Sequence, residues 1–140
     1  MTCRQPHALL YQLADGRFQI METGSLAPMM IGYQYVLVEE ALAEYLKFLD
    51  LPRVDTIPAI VFDPRQRLEI RTYRQLIIGQ RFSPDMIRDL DLEGERLLLM
   101  DDQEVFASIS LKQRLEESPF PYLCFSEGLS SFAGVSSEPY

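Results

Sequence analysis

Apolar residues along this chain change their period several times, and each change marks an element. Ala8–Leu13 alternates loosely, Asp15-Gly16 interrupts it, and Phe18–Met21 resumes with Phe18 and Ile20 on one face. An Asp-Gly between two such runs predicts a β-hairpin, because the pair tolerates the positive φ that a tight hairpin turn requires. Glu22–Gly32 contains Gly24, Ser25, Pro28 and Gly32 and reads as a loop. Its Leu26, Met29 and Met30 are expected to tuck beneath it as a satellite cluster. An adaptable, Met-containing contact surface is the functional alternative.

The period then switches from strand to helix within one stretch. Tyr33–Val38 reads as a strand, continuously apolar from Tyr35, and Glu39–Leu49 repeats Leu42, Tyr45, Leu46 and Leu49 at three and four residues. A strand feeding directly into a helix is predicted. Glu39 and Glu40 fall in the first turn, where the helix dipole favours acids. Asp50-Leu51-Pro52 ends the helix, since a residue before proline avoids the helical region. A shorter echo, YLCFSEGLSSFAG, runs from Tyr122 to Gly134 and predicts a second strand–helix unit, with Ser126 as cap and Leu129 and Phe132 inward.

Between these stretches, Ile57–Phe62 is a β-branched run, and Asp63-Pro64-Arg65-Gln66 is a turn. Leu68–Ile78 alternates and predicts a half-exposed strand antiparallel to Ile57–Phe62. Ser83-Pro84-Asp85 signals a helix start, followed by Met86, Ile87 and Leu90. Leu97–Met100 and Val105–Ile109 read as strands, and Ser110 as the cap of a short helix, Leu111–Glu117. Strand pairs joined by tight turns predict an α+β fold: a mainly antiparallel sheet with three to four short helices packed on it. Size predicts one domain over residues 1–135, with 136–140 as a frayed tail.

Composition narrows the function. The net charge is −8, from 21 acidic and 13 basic residues, which disfavours a phosphate backbone as partner and favours a basic protein. Two cysteines outside any CxxC pair, with His7 as the one histidine, do not make a Cys/His zinc site. Cys3 and Cys124 fit a reducing compartment, and Cys124 reads as a small buried hydrophobe. No apolar run approaches the length of a membrane span and the N-terminus lacks a secretory pattern, so a cytoplasmic protein is expected.

Candidate chemistry is sparse. The sequence has no Gly-rich phosphate loop, GxSxG or HExxH, and no cofactor is expected. Asp101-Asp102 follows an apolar strand and could hold a metal or act as a base, but with no partner His, Lys or second acidic motif nearby the strand-to-strand turn, which also wants Asp, is the favoured reading. The acidic stretch from Asp85 to Glu104 carries Asp85, Asp89, Asp91, Glu93, Glu95, Asp101, Asp102 and Glu104 against Arg88 and Arg96. It is the expected partner-binding surface, docking a basic protein and speeding encounter, with a solvated face as the bland alternative.

The order YVLVEEALAEYLKFL, IPAIVF, an alternating strand, an acid-capped helix, EVFASIS and PYLCFSEGLSSFAGV resembles the myxobacterial-type immunity domains of bacterial polymorphic-toxin, contact-dependent and type VI secretion loci. That family has an early hydrophobic-Ser-Glu-x-Leu segment and a late copy ending in Gly and an aliphatic residue. Val38-Glu39-Glu40-Ala41-Leu42 matches the first, with Glu39 replacing the serine. Phe125-Ser126-Glu127-Gly128-Leu129 and Gly134-Val135 match the second. The resemblance implies a cytoplasmic immunity protein that occludes the active site of a cognate toxin, with no catalysis of its own. A small acidic subunit of a larger assembly is the alternative function.

Overall fold

Tyr35–Glu39 forms a strand whose alternate residues face two different cores, and the rest of the fold assembles on its two sides. A computed structural model describes residues 10–21, 26–32, 34–82, 93–101, 104–127 and 132–136. Its elements are β1 (Leu10–Gln12), β2 (Phe18–Ile20), β3 (Met29–Gly32), β4 (Tyr35–Glu39), α1 (Glu40–Phe48), β5 (Val54–Asp63) and β6 (Leu68–Ile78). They continue with β7 (Arg81–Phe82), β8 (Leu97–Met100), β9 (Glu104–Ser108), α2 (Ile109–Glu116), β10 (Cys124–Glu127) and β11 (Phe132–Ser136).

The strands make two sheets, ordered β1-β2-β5-β6-β4-β3 and β10-β11-β9-β8-β7. Pairing is antiparallel except for β2 with β5 and β7 with β8. The fold is therefore α+β and mostly antiparallel, as the sequence pattern predicts, but in two sheets rather than one.

The two sheets contain the same unit twice. β3-β4-α1-β5-β6 and β8-β9-α2-β10-β11 share one ββαββ topology with the same strand neighbours. The register agrees residue by residue. Met29, Met30 and Ile31 pair with Val38, Leu37 and Val36, as Leu97, Leu98 and Leu99 pair with Ala107, Phe106 and Val105. Leu42 and Leu46 of α1 are buried at the positions that Leu111 and Leu115 occupy in α2. The contacts between sheets repeat as well: β3 lies against β11, and β8 against β6.

Burial explains the arrangement. Val36, Val38, Leu42, Ala43, Leu46, Leu76 and Ile78 from the first unit share one core with Leu97, Leu99, Val105, Ala107, Leu111 and Leu115 from the second. The outer face of the first sheet carries a second core built on Phe18, Met30, Tyr35, Leu37, Val61 and Tyr73. Phe82, Leu98 and Phe106 form a third on the outer face of the other sheet. Strand alternation puts β4 residues into both of the first two cores, which is why its run is continuously apolar. Gly32 lies opposite Tyr35, whose ring covers it so closely that a Cβ there would overlap the ring.

Several expectations are corrected. Met29–Gly32 is a strand rather than part of a loop, and Met29 and Met30 are core residues, neither a satellite cluster nor a contact surface. Three to four helices were expected, but the described residues contain two. The helix predicted after Ser83 lies outside the described residues. Of the helix predicted after Ser126, the described residues are strand and 128–131 lie outside them. Ser126 and Glu127 lie in β10 and Phe132 in β11, antiparallel partners in which Ser126 pairs with Gly134. Pairing of β11 with β9 outweighs the local capping signal there. The echo of Tyr35–Leu49 is therefore not Tyr122–Gly134 but Glu104–Ser118. Ser136 pairs with Cys124 instead of fraying, while 137–140 lie outside the described residues. The cap of α2 is Ser108, not Ser110: its Oγ accepts the Leu111 N–H.

Other expectations hold. β1 and β2 pair as a hairpin about Asp15-Gly16, where the Asp15 carboxylate accepts from the Arg17 backbone and guanidinium. That backbone bond is the main cause holding the Asp15 carboxyl below its ordinary range. β5 and β6 pair antiparallel, with a bulge that sets Arg71 and Thr72 opposite Ile60. The bulge shifts the phase of β6, so Ile70 and Tyr73 both turn toward the outer core.

Candidate functional site

Helix α1 leaves a groove where its flank meets β5 and β6. Glu40, Ala43, Glu44 and Lys47 recur at three and four residues, so they form one stripe along the helix, and Asp50 follows just past the helix end. Thr56 of β5 and Arg74 of β6 face this stripe. The groove comprises a cavity of about 340 Å³ at its Asp50 and Asp55 end and one of about 130 Å³ at its Glu40 and Glu44 end. Lys47, Thr56 and Arg74 line both. Ala43, Leu46 and Leu51 are buried, which gives the groove an apolar floor.

Arg74 is unusual in its setting. It shares strand phase with Leu76 and Ile78, both in the central core, so it occupies an inward-facing position at the core's rim. Its Nε donates to Thr56 Oγ1 and its Nη2 to the Thr56 carbonyl, each at 3.2 Å. Neither Arg74 nor Lys47 forms an ion pair among the described residues. A half-buried guanidinium with no carboxylate partner among the described residues retains N–H donors for something else. Phe48 stands one turn beyond Glu44 on the outer side of the stripe and is 80% exposed.

The residues singled out from the sequence are distributed differently. Asp85, Asp89, Asp91 and Asp102 lie outside the described residues. Glu93 and Glu95 flank Gly94 just before β8, and Asp101 follows it, so the short strand separates them by roughly 20 Å of extended chain. Glu95 is paired with Arg114 of α2, and the Glu93 carbonyl accepts from Arg96. Asp101 has a left-handed φ of 52°, the turn role that Asp fills readily. Among the described residues no three His, Cys, Asp or Glu side chains are grouped to hold a metal.

A second polar group lies on the other side of β4. Glu39 faces Tyr73 across the strands, and burial, with a smaller push from Glu39, raises the Tyr73 phenol to about 12. Burial first and Glu39 second raise Tyr122 to about 12 as well. Tyr73 donates to the Ala27 carbonyl, so it anchors the approach to β3 and stays protonated at neutral pH. Because these folded-state values exceed the ordinary phenol value of 10, their stabilisation is complete below pH 10 and is lost as pH rises toward about 12. A tyrosinate absorbance titration should show this as late-titrating phenols that ionise together with alkaline unfolding. Ionisation of every tyrosine near pH 10 without unfolding would contradict it.

The groove residues Lys47, Thr56 and Arg74, and the exposed Phe48, were not singled out from the sequence. Two signals mark them: Arg74 is a charge at an apolar-phase position of β6, and Phe48 is a large apolar residue on the polar side of α1. No helix among the described residues is long and apolar enough to cross a membrane. No family model, curated protein or solved structure matches this chain.

Proposed function

We propose that this protein binds another protein and is an immunity protein: it sits on a cognate bacterial toxin and blocks its active site without chemistry of its own. The observation that carries the proposal is the exposed Phe48 on α1, next in sequence to Lys47 and one turn from Glu44, which line the groove with Arg74. An aromatic anchor next to an arginine and a polar rim is the composition from which binding hot spots are built. The toxin as partner rests on the resemblance of Val38–Leu42, which lies at the β4–α1 junction beside this groove. The late segment Phe125–Val135 gives less support, since its described residues are paired strands. The acidic stretch remains a proposed aid to encounter with a basic toxin surface.

Co-expression with the product of the neighbouring gene tests the function: the chain should restore growth to cells that the product alone kills. Phe48→Glu should weaken binding by about 2 kcal/mol or more. Its melting temperature should stay near that of the parent, because surface changes usually cost no more than about 0.5 kcal/mol. Failure of the parent chain to protect would overturn the proposal.

A further inference from the structure

The charges along the groove alternate in a fixed order. Glu40 and Glu44 line one end, Lys47 and Arg74 the middle, and Asp50 and Asp55 the other end. We infer that the groove binds an extended peptide segment of a partner protein with the complementary order: a basic residue, an acidic residue two positions on, and a basic residue two positions beyond that. This deepens the protein-binding function proposed above by assigning the chemistry of the segment that the groove takes.

Length and periodicity support that occupant. Glu40 to Phe48 spans about 12 Å of helix at ~1.5 Å per residue, and Asp50 lies just past its end. The first and fifth residues of an extended chain, four steps of ~3.3 Å apart, are separated by a similar ~13 Å. In an extended segment residues one, three and five point to the same side, so three alternating charges enter the groove together. The central carboxylate meets Arg74, whose Nε and Nη2 are held on Thr56 while its Nη1 keeps both donors. A guanidinium positioned in this way donates parallel charge-assisted hydrogen bonds to a carboxylate from Nη1 and from the remaining N–H of Nη2, and Lys47 adds a second cation. The outer basic residues answer the acids at the two ends. A simple anion would gain the centre but be repelled by four carboxylates, and a bare cation would meet Lys47 and Arg74. Small spacer residues suit the shallow floor of Ala43, Leu46 and Leu51.

The test is an NMR titration of the full chain with acetyl-Lys-Ala-Glu-Ala-Lys-amide and with its reversal, acetyl-Glu-Ala-Lys-Ala-Glu-amide. The first should shift the backbone amides of Lys47, Thr56 and Arg74 in a saturable way, weaken as salt is raised, and bind at least about tenfold tighter than the reversal. Arg74→Gln should reduce its affinity about tenfold. Lys47→Met, at an exposed side chain without an ion pair, should also reduce it and keeps the test valid if Arg74→Gln misfolds. Equal binding of both peptides, shifts confined to other surfaces, or no shift at all would overturn the inference. No toxin is present in this experiment, so its failure removes the groove's ligand while the co-expression assay still decides the function.

Discussion

Leu111→Ala should lower stability by about 3–5 kcal/mol, as large-to-small changes at fully buried leucines do. Leu111 is 0% exposed and sits in the core that both ββαββ units share. Truncation leaves a cavity lined by parts of both sheets, and neither unit can close it alone. Leu42→Ala, at the equivalent place in α1, should cost a similar amount. Total stabilities are only about 5–15 kcal/mol, so either change moves the chain close to unfolding. Because the core is common, both variants should shift the same single transition, with far-UV circular dichroism and tyrosine fluorescence coinciding. Two separate transitions, one per unit, would contradict the shared core, as would a loss below about 1 kcal/mol.

Ser108→Ala should cost about 2–4 kcal/mol, well above an ordinary cap substitution. The Ser108 hydroxyl, 2% exposed, donates to the Gly94 carbonyl at 2.7 Å and accepts from the Arg96 N–H at 2.9 Å and the Leu111 N–H at 3.5 Å. One side chain thus caps α2 and fastens the segment that enters β8. Its removal leaves backbone groups unpaired next to the core, and an unmade buried hydrogen bond costs more than a made one contributes. Glu39 occupies the equivalent position before α1 and makes no side-chain capping bond. Glu39→Ala should therefore cost less than about 1 kcal/mol. Chemical denaturation of the two variants measures the contrast. Equal losses would show that Ser108 acts only through generic capping.

Much of the fold was legible where burial is one-sided or continuous. The β4–α1 stretch, the β5–β6 pair and the β1–β2 hairpin follow directly from apolar period and turn chemistry. The internal repeat was also present in the sequence: Val36, Leu42 and Leu46 recur as Val105, Leu111 and Leu115 at one constant offset. It was hidden because only core positions are kept. Glu39 becomes Ser108, Tyr45 becomes Arg114, and the turn between the first two strands of the unit gains a residue in the second copy. Phe125-Ser126-Glu127 misled for the opposite reason. Its local chemistry suits a cap, yet β11 draws it into a sheet through contacts distant in sequence. Met29–Gly32 was obscured by Pro28 and Gly32, turn-formers that here precede and end a short strand. The groove escaped notice because Lys47, Thr56 and Arg74 come from three elements and converge only when α1 folds onto β5 and β6.

The two halves of the proposed site play different roles. Phe48 supplies apolar area on an open surface, where a partner can bury it at little cost to this chain's own folding. Arg74 supplies direction, because a guanidinium held by Thr56 loses little further freedom on binding. The paired Glu95 and the turn residue Asp101 already serve the fold, and that draws the proposed interface from the acidic stretch toward α1.

The most direct measurement mixes the purified chain with the purified product of the neighbouring gene and follows both complex formation and that product's toxic activity. A one-to-one complex is predicted, with activity abolished at equivalence and restored when Phe48→Glu replaces the parent chain. A toxin that stays fully active in molar excess of the parent chain, with no complex formed, would contradict the proposed function.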